Sequence, residues 1–140
     1  MINAKMKSMF FDREGVMDKV DAGTRKWMSR FGSFVRTRSR QSIRKRKASA
    51  PPGSPPSSHT GKLKSSIYFG YDQDLRTVTI GPIVAEGTTG EGADLLEHGG
   101  TTTIIRRGKR IRAKFRGNPF MLPAFDEEKK NLPSLLKDSI

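Results

Sequence analysis

No cysteine occurs in the 140 residues. This excludes disulfides and thiolate metal sites and fits a reducing cytoplasm. No apolar run approaches the roughly 18 residues that a membrane span needs. The first residues, MINAKMKSMFFDREG, start basic, but Asp12 and Glu14 arrive before any apolar region of signal length, so no secretory signal is expected. Hydrophobic residues make up 34% of the chain. That supports one modest core in a single domain spanning 1–140.

Acids are missing from two long stretches. Ala22 to Tyr71 holds no acidic residue and twelve basic ones. His98 to Phe125 is also acid-free and contains RRGKRIRAKFR, with seven basic residues in eleven. The net charge is +13. Paired basic blocks favour a polyanion or an acidic protein surface as partner, and a solvated basic face is the bland alternative. The candidate contact residues are Arg36, Arg38, Arg40, Arg44, Lys45, Arg46 and Lys47 in the first block. In the second they are Arg106, Arg107, Lys109, Arg110, Arg112, Lys114 and Arg116.

The constellations of catalysis are also missing. His59 and His98 have no metal-ligand spacing such as HExxH. The stretch EGTTGEG lacks the Lys-Ser or Lys-Thr of a phosphate-binding loop. Glu97 and His98 are adjacent, and neighbouring side chains diverge. The serines have no nucleophile-elbow context. Neither an enzyme nor a cofactor is expected.

What is present reads as α+β: a long N-terminal helix, a small mostly antiparallel sheet of two hairpins and a closing C-terminal helix. Met17, Val20, Thr24, Trp27, Phe31 and Val35 recur at helical spacing, which predicts a helix from 12 to about 46, capped by Asp12. The stripe fades after Val35, so the last turns are expected to project from the body. Ile67, Phe69 and Tyr71, then Val78 and Ile80, alternate with period two around a turn at 72–75. A Gly-rich loop follows. ADLLEHGG reads as a short helical turn stopped by Gly99 and Gly100. Residues 101–115 read as a second hairpin turning near Arg107, Gly108 and Lys109, with Ile105, Ile111 and Ala113 on its buried face. Phe120, Leu122, Phe125, Leu132, Leu135 and Leu136 are the apolar anchors of the C-terminal helix, and Pro133 starts a second short helix.

Between the long helix and the first strand lies ASAPPGSPPSSHT, an extended Pro-rich segment over 48–60. Connections of this length are usually functional or disordered. Its composition predicts mobility in the isolated subunit, and an arm placed on a neighbouring molecule.

Three pieces of sequence together suggest a family. They are Ala50-Pro51-Pro52-Gly53-Ser54-Pro55-Pro56-Ser57-Ser58-His59-Thr60-Gly61-Lys62-Leu63-Lys64-Ser65-Ser66-Ile67, then Leu95-Leu96-Glu97-His98-Gly99-Gly100, then Asn118-Pro119-Phe120-Met121-Leu122-Pro123-Ala124. Their order and spacing resemble the neck, or tail-completion, proteins that join head and tail in tailed bacteriophages. The resemblance covers roughly residues 15–137; Asn118 stands where an arginine is common in that family. It implies a structural virion protein, made in the host cytoplasm, that forms a homo-oligomeric ring around the DNA channel. Its neighbours would be a head connector or head-closure protein and a tail terminator or tail tube protein, with non-specific contact to phage DNA. Pro51, Pro52, Pro55, Pro56, His59, Thr60, Gly61 and Leu63 would then lie at the subunit or partner interface. The charge also admits another class, a free-standing basic nucleic-acid-binding protein.

Overall fold

The computed structural model describes residues 12–83 and 91–139. The start of the chain and most of the expected Gly-rich loop lie outside the described residues. The elements in chain order are α1 (Arg13–Ser42), β1 (Arg44–Lys45), β2 (Ser57–Ser58), α2 (Lys62–Ser66), β3 (Ile67–Asp72), β4 (Thr77–Pro82), α3 (Glu91–His98), β5 (Gly100–Arg106), β6 (Lys109–Phe115), α4 (Met121–Lys129) and α5 (Leu132–Lys137). The α+β expectation holds, with a long first helix, two antiparallel hairpins and closing helices. The hairpins are separate two-stranded sheets with no shared edge. No helix among the described residues is long and apolar enough to cross a membrane.

Helix α1 is the spine, about 45 Å long at 1.5 Å per residue. Asp12 caps it, accepting the Gly15 N–H at 3.0 Å. Its middle packs on β3–β4 and on α4 and α5. Helix and hairpin pack tightly at Gly32, where a Cβ would sit 2.8 Å from both Phe69 Cδ2 and Val78 Cγ2. Phe31, Val35, Ala124 and Leu135 form one buried cluster, with Val78, Ile80, Met121 and Leu132 against it. Ile43, Ile67 and Phe120 form a second, flanked by Leu63, Leu96 and again Met121, which links the two.

The helical stripe is buried over a different span from the one its spacing predicts. Met17 and Val20 are exposed and Trp27 is half-buried. Ser139, just past α5, lies beside Gly23, and the turns of α1 before it keep Val16, Met17 and Val20 exposed. The last turns of α1 do not project. Ser39 is fully buried and Ile43 is 1% exposed. Ser39 donates its Oγ–H to the Val35 carbonyl at 2.8 Å, which satisfies the hydroxyl and lets a polar residue continue the stripe. The helix stops at Ser42 rather than 46 because Ile43 turns extended and Arg44–Lys45 pairs in parallel with Ser57–Ser58.

Both hairpins form where expected. At the first turn Asp72 Oδ1 accepts the Asp74 and Leu75 N–H groups, each at 2.9 Å. At the second, Arg107 and Gly108 both take positive φ, 52° and 74°, as a two-residue turn matching strand twist requires. The register pairs Ile104 with Ile111 and Thr102 with Ala113. Ile105 therefore lies on the opposite face from Ile111 and Ala113, paired with Arg110, and is 74% exposed; Ile111 is exposed too and Ala113 only half-buried, so the expected buried face does not form. Strand alternation separates what composition had grouped. Glu91 and Gly92, expected as loop, belong to α3, which begins two residues before the expected helical turn at Ala93.

Helix α4 is nine residues long and turns only the line Met121, Ala124, Glu128 toward the body. Leu122, Phe125 and Leu136, expected as anchors, are exposed because they fall off the inward lines of their helices. Phe125 still meets Phe31 edge-on, with ring centroids 5.5 Å apart. The buried Glu128 carboxylate accepts from Arg38 Nε and from Asn131 Nδ2.

Candidate functional site

The three sequence pieces that carry the family resemblance come together at one end of the molecule. Leu63, Leu96, Phe120 and Met121 pack in the same cluster around Ile43 and Ile67. Glu97, at the end of α3, turns its carboxylate onto the start of α4. Its Oε2 accepts the Phe120 and Met121 N–H groups at 2.9 and 3.0 Å, and its Oε1 accepts the Leu122 N–H at 2.7 Å. A helix start has unpaired N–H groups and a positive dipole end, and Glu97 supplies acceptors and charge to both. Phe120 itself offers no capping side chain.

Asn118 continues this knot. Its N–H bonds the Leu96 carbonyl at 2.6 Å. Its side-chain amide donates to the Pro51 and Ser54 carbonyls at 2.8 and 2.7 Å, tying the Pro-rich segment to the body. That segment is thus not a free arm on its own subunit: Pro56 and Ser58 are buried, Pro55 is half-buried, and Pro51, Pro52, His59 and Thr60 are exposed. His59 Nδ1 lies 2.8 Å from the Arg46 carbonyl. Gly61 sits at φ 80°, starting α2, with its N–H on Ser58 Oγ at 2.9 Å. Leu63 is half-buried in the cluster.

From this knot the β5–β6 hairpin leaves the body. At its root Gly99 takes φ 74°, and a Cβ there would sit 2.7 Å from Gly117 N. The two chains of the root therefore pass in contact, and glycine is required. Seven-residue strands give a ribbon roughly 23 Å long. Arg106, Arg107, Lys109, Arg110, Arg112, Lys114 and Arg116 are all exposed on and beside it. Arg110, Arg112 and Lys114 line one face together. Among the described residues none of these seven forms a salt bridge.

The other basic block divides by role. Arg38 is committed to Glu128. Arg44, Lys45 and Lys47 are exposed, and Arg46 donates Nε–H to Ser57 Oγ at 2.9 Å. Arg36 and Arg40 lie one turn apart on α1 and converge. Both donate Nε–H to the Ile67 carbonyl, each at 3.1 Å, and Arg40 Nη2 also donates to the Ser65 carbonyl at 3.0 Å. Both guanidinium carbons lie over the Tyr68 ring, at 5.5 and 5.4 Å from its centroid. The Ile83 N–H bonds the Ser66 carbonyl, so the next carbonyl along, that of Ile67, faces away from β4 and has no strand partner. The two arginines supply its donors.

Tyr68, Glu97 and Asn118 are the site residues that sequence reasoning missed. Strand alternation places Tyr68 opposite Ile67 and Phe69, on the outward face, and was the available signal for it. Glu97 and Asn118 stand within the family pattern, but their partners are more than twenty residues away in the chain, and nothing local assigns them these bonds. Glu97 and His98 do diverge: the carboxylate caps α4, while His98 Nε2 lies 3.7 Å from Asp94 Oδ1 at the surface.

Comparison with protein-family models, with curated proteins and with solved structures returned no match to this chain.

Proposed function

We propose that the chain is a structural protein of the phage neck. It forms a closed ring in the virion that joins the head connector to the tail, around the DNA channel. One observation carries this role. The three segments that resemble the neck-protein pattern are far apart in sequence, yet they interlock through Glu97, Asn118 and the Ile43–Ile67–Phe120 cluster. The pattern is therefore one connected unit of the fold, and a basic ribbon leaves from it.

In such a ring each subunit presents two different patches to its neighbours, and a closing rotation gives a finite oligomer. The exposed tip at Pro51 and Pro52, with Pro55, Pro56, His59, Thr60, Gly61 and Leu63 behind it, belongs to the subunit boundary. The head-closure and tail-terminator or tail tube proteins take the two ends of the ring. The basic blocks face phage DNA through phosphates, without reading bases.

Replacing Pro51, Pro52 and Pro55 with serine leaves the buried Pro56 and Ser58 in place and isolates the boundary role. Heads and tails should accumulate unjoined, while the purified variant keeps its fold by circular dichroism. Normal joining by that variant, or a reconstruction of the particle without this chain at the head–tail junction, would refute the role. Tight, salt-resistant and sequence-selective DNA binding by the isolated chain would favour a free-standing nucleic-acid-binding protein instead.

A further inference from the structure

Arg36 and Arg40 put two positive charges within two hydrogen-bond lengths of each other, on one carbonyl oxygen. Like charges held this close raise each other's energy unless an anion joins them. Among the described residues no carboxylate makes a salt bridge with either. The acid of α4 that meets this stretch of α1, Glu128, is taken by Arg38. The Ile67 carbonyl accounts for the Nε–H of each arginine, and Ser65 for one further donor of Arg40. A guanidinium carries five donors in a planar fork, so most of both forks is left over. Their conformations are already set, by the carbonyl at one end and the Tyr68 ring beneath, and less side-chain freedom is lost when a ligand binds.

We propose that Arg36 and Arg40, flanking Tyr68, form a preorganised site for one phosphodiester group of a nucleic-acid backbone. Two forks meeting at an angle suit the several oxygens of a tetrahedral phosphate. The acid-free surroundings from Ala22 to Tyr71 suit a polyanion carrying such groups in series. The site deepens the channel role proposed above and rests on it only for DNA as the source of the phosphate.

The test follows the Arg Nε–Hε resonances of the full chain while inorganic phosphate, a short duplex DNA of random sequence, or polyglutamate is added at constant ionic strength. Phosphate and duplex should both shift the Arg36 and Arg40 signals, and chloride should not. Signals that move with phosphate but not with duplex would assign the site to a free anion and overturn the backbone proposal. Signals that move with polyglutamate and not with phosphate would assign it to an acidic protein. The paired Arg36→Gln, Arg40→Gln variant should bind duplex about tenfold more weakly and lose about 0.9 of the slope of log K against log salt. Arg36→Lys with Arg40→Lys keeps the charge but not the fork and should not restore the affinity. Native affinity and slope in the folded glutamine variant, or full rescue by lysine, would overturn the proposal. The wild-type titration stands even where a variant fails to fold. Ring formation, followed in parallel by native mass spectrometry, separates the two roles: phosphate binding without rings sinks the neck role alone, and rings without phosphate binding sink the site alone.

Discussion

Replacing Glu97 with alanine should unlock the start of α4 and the root of the basic ribbon together. Three backbone N–H groups lose their acceptors, those of Phe120, Met121 and Leu122, now bonded at 2.9, 3.0 and 2.7 Å. Loss of a helix cap costs about 1 kcal/mol. Removing the negative charge from the positive end of the dipole costs roughly 0.5 kcal/mol more. The Phe120 N–H sits beside a fully buried ring and is poorly placed to find water, which adds roughly another 0.5 kcal/mol. The total is about 2 kcal/mol, a fall in melting temperature of roughly 7 °C for a chain of this size. Glu97→Gln keeps an acceptor oxygen without the charge and should fall about halfway. Hydrogen exchange should quicken at the Asn118 N–H, bonded to the Leu96 carbonyl, in step with the loss of stability. Denaturant unfolding of an alanine variant within about 0.5 kcal/mol of the parent would refute the capping role.

Gly32→Ala gains roughly 1 kcal/mol of helix propensity but drives a methyl to 2.8 Å from Phe69 and Val78; the net effect should be a loss of about 1 kcal/mol in urea unfolding, and a gain would mean the hairpin gives way freely. Asn118→Ala should release the Pro51 and Ser54 carbonyls and speed proteolysis within 51–55, with global unfolding weakened by only about 1 kcal/mol; unchanged cleavage would show the segment is held by Pro56 and Ser58 alone. The hydrogen bond from Lys130, and then its charge, hold the exposed Glu127 carboxyl below its ordinary value. Because its folded value is the lower one, its contribution to stability is complete above the unfolded value and is lost as pH falls through the folded one. Lys130→Ala should return the Glu127 titration, followed by carboxyl-carbon NMR, toward the ordinary carboxylate range, and an unmoved titration would refute the pairing.

Much of the fold was legible because its signals are local. Asp12 capping α1, the alternation of Ile67, Phe69 and Tyr71, the turn at Arg107 and Gly108, and Pro133 opening α5 each follow from backbone preferences within a few residues. Burial was less legible. Met17 and Val20 have the right spacing but stay exposed, whereas Ser39 has the wrong chemistry and is fully buried. Spacing states which residues share a face; only a packed neighbour decides whether that face is covered.

The sequence by itself determined the charge, its two acid-free blocks and the order of helices and hairpins, since these depend on composition and short-range periodicity. Tertiary structure alone decided which arginines are committed. Arg38 is spent on a glutamate ninety positions along the chain, while Arg36 and Arg40 are held on a carbonyl that β4 leaves unpaired. The ribbon cations form no such pair among the described residues. A cation's availability depends on what lies within a few ångströms of it, and folding sets that distance between residues remote in the chain.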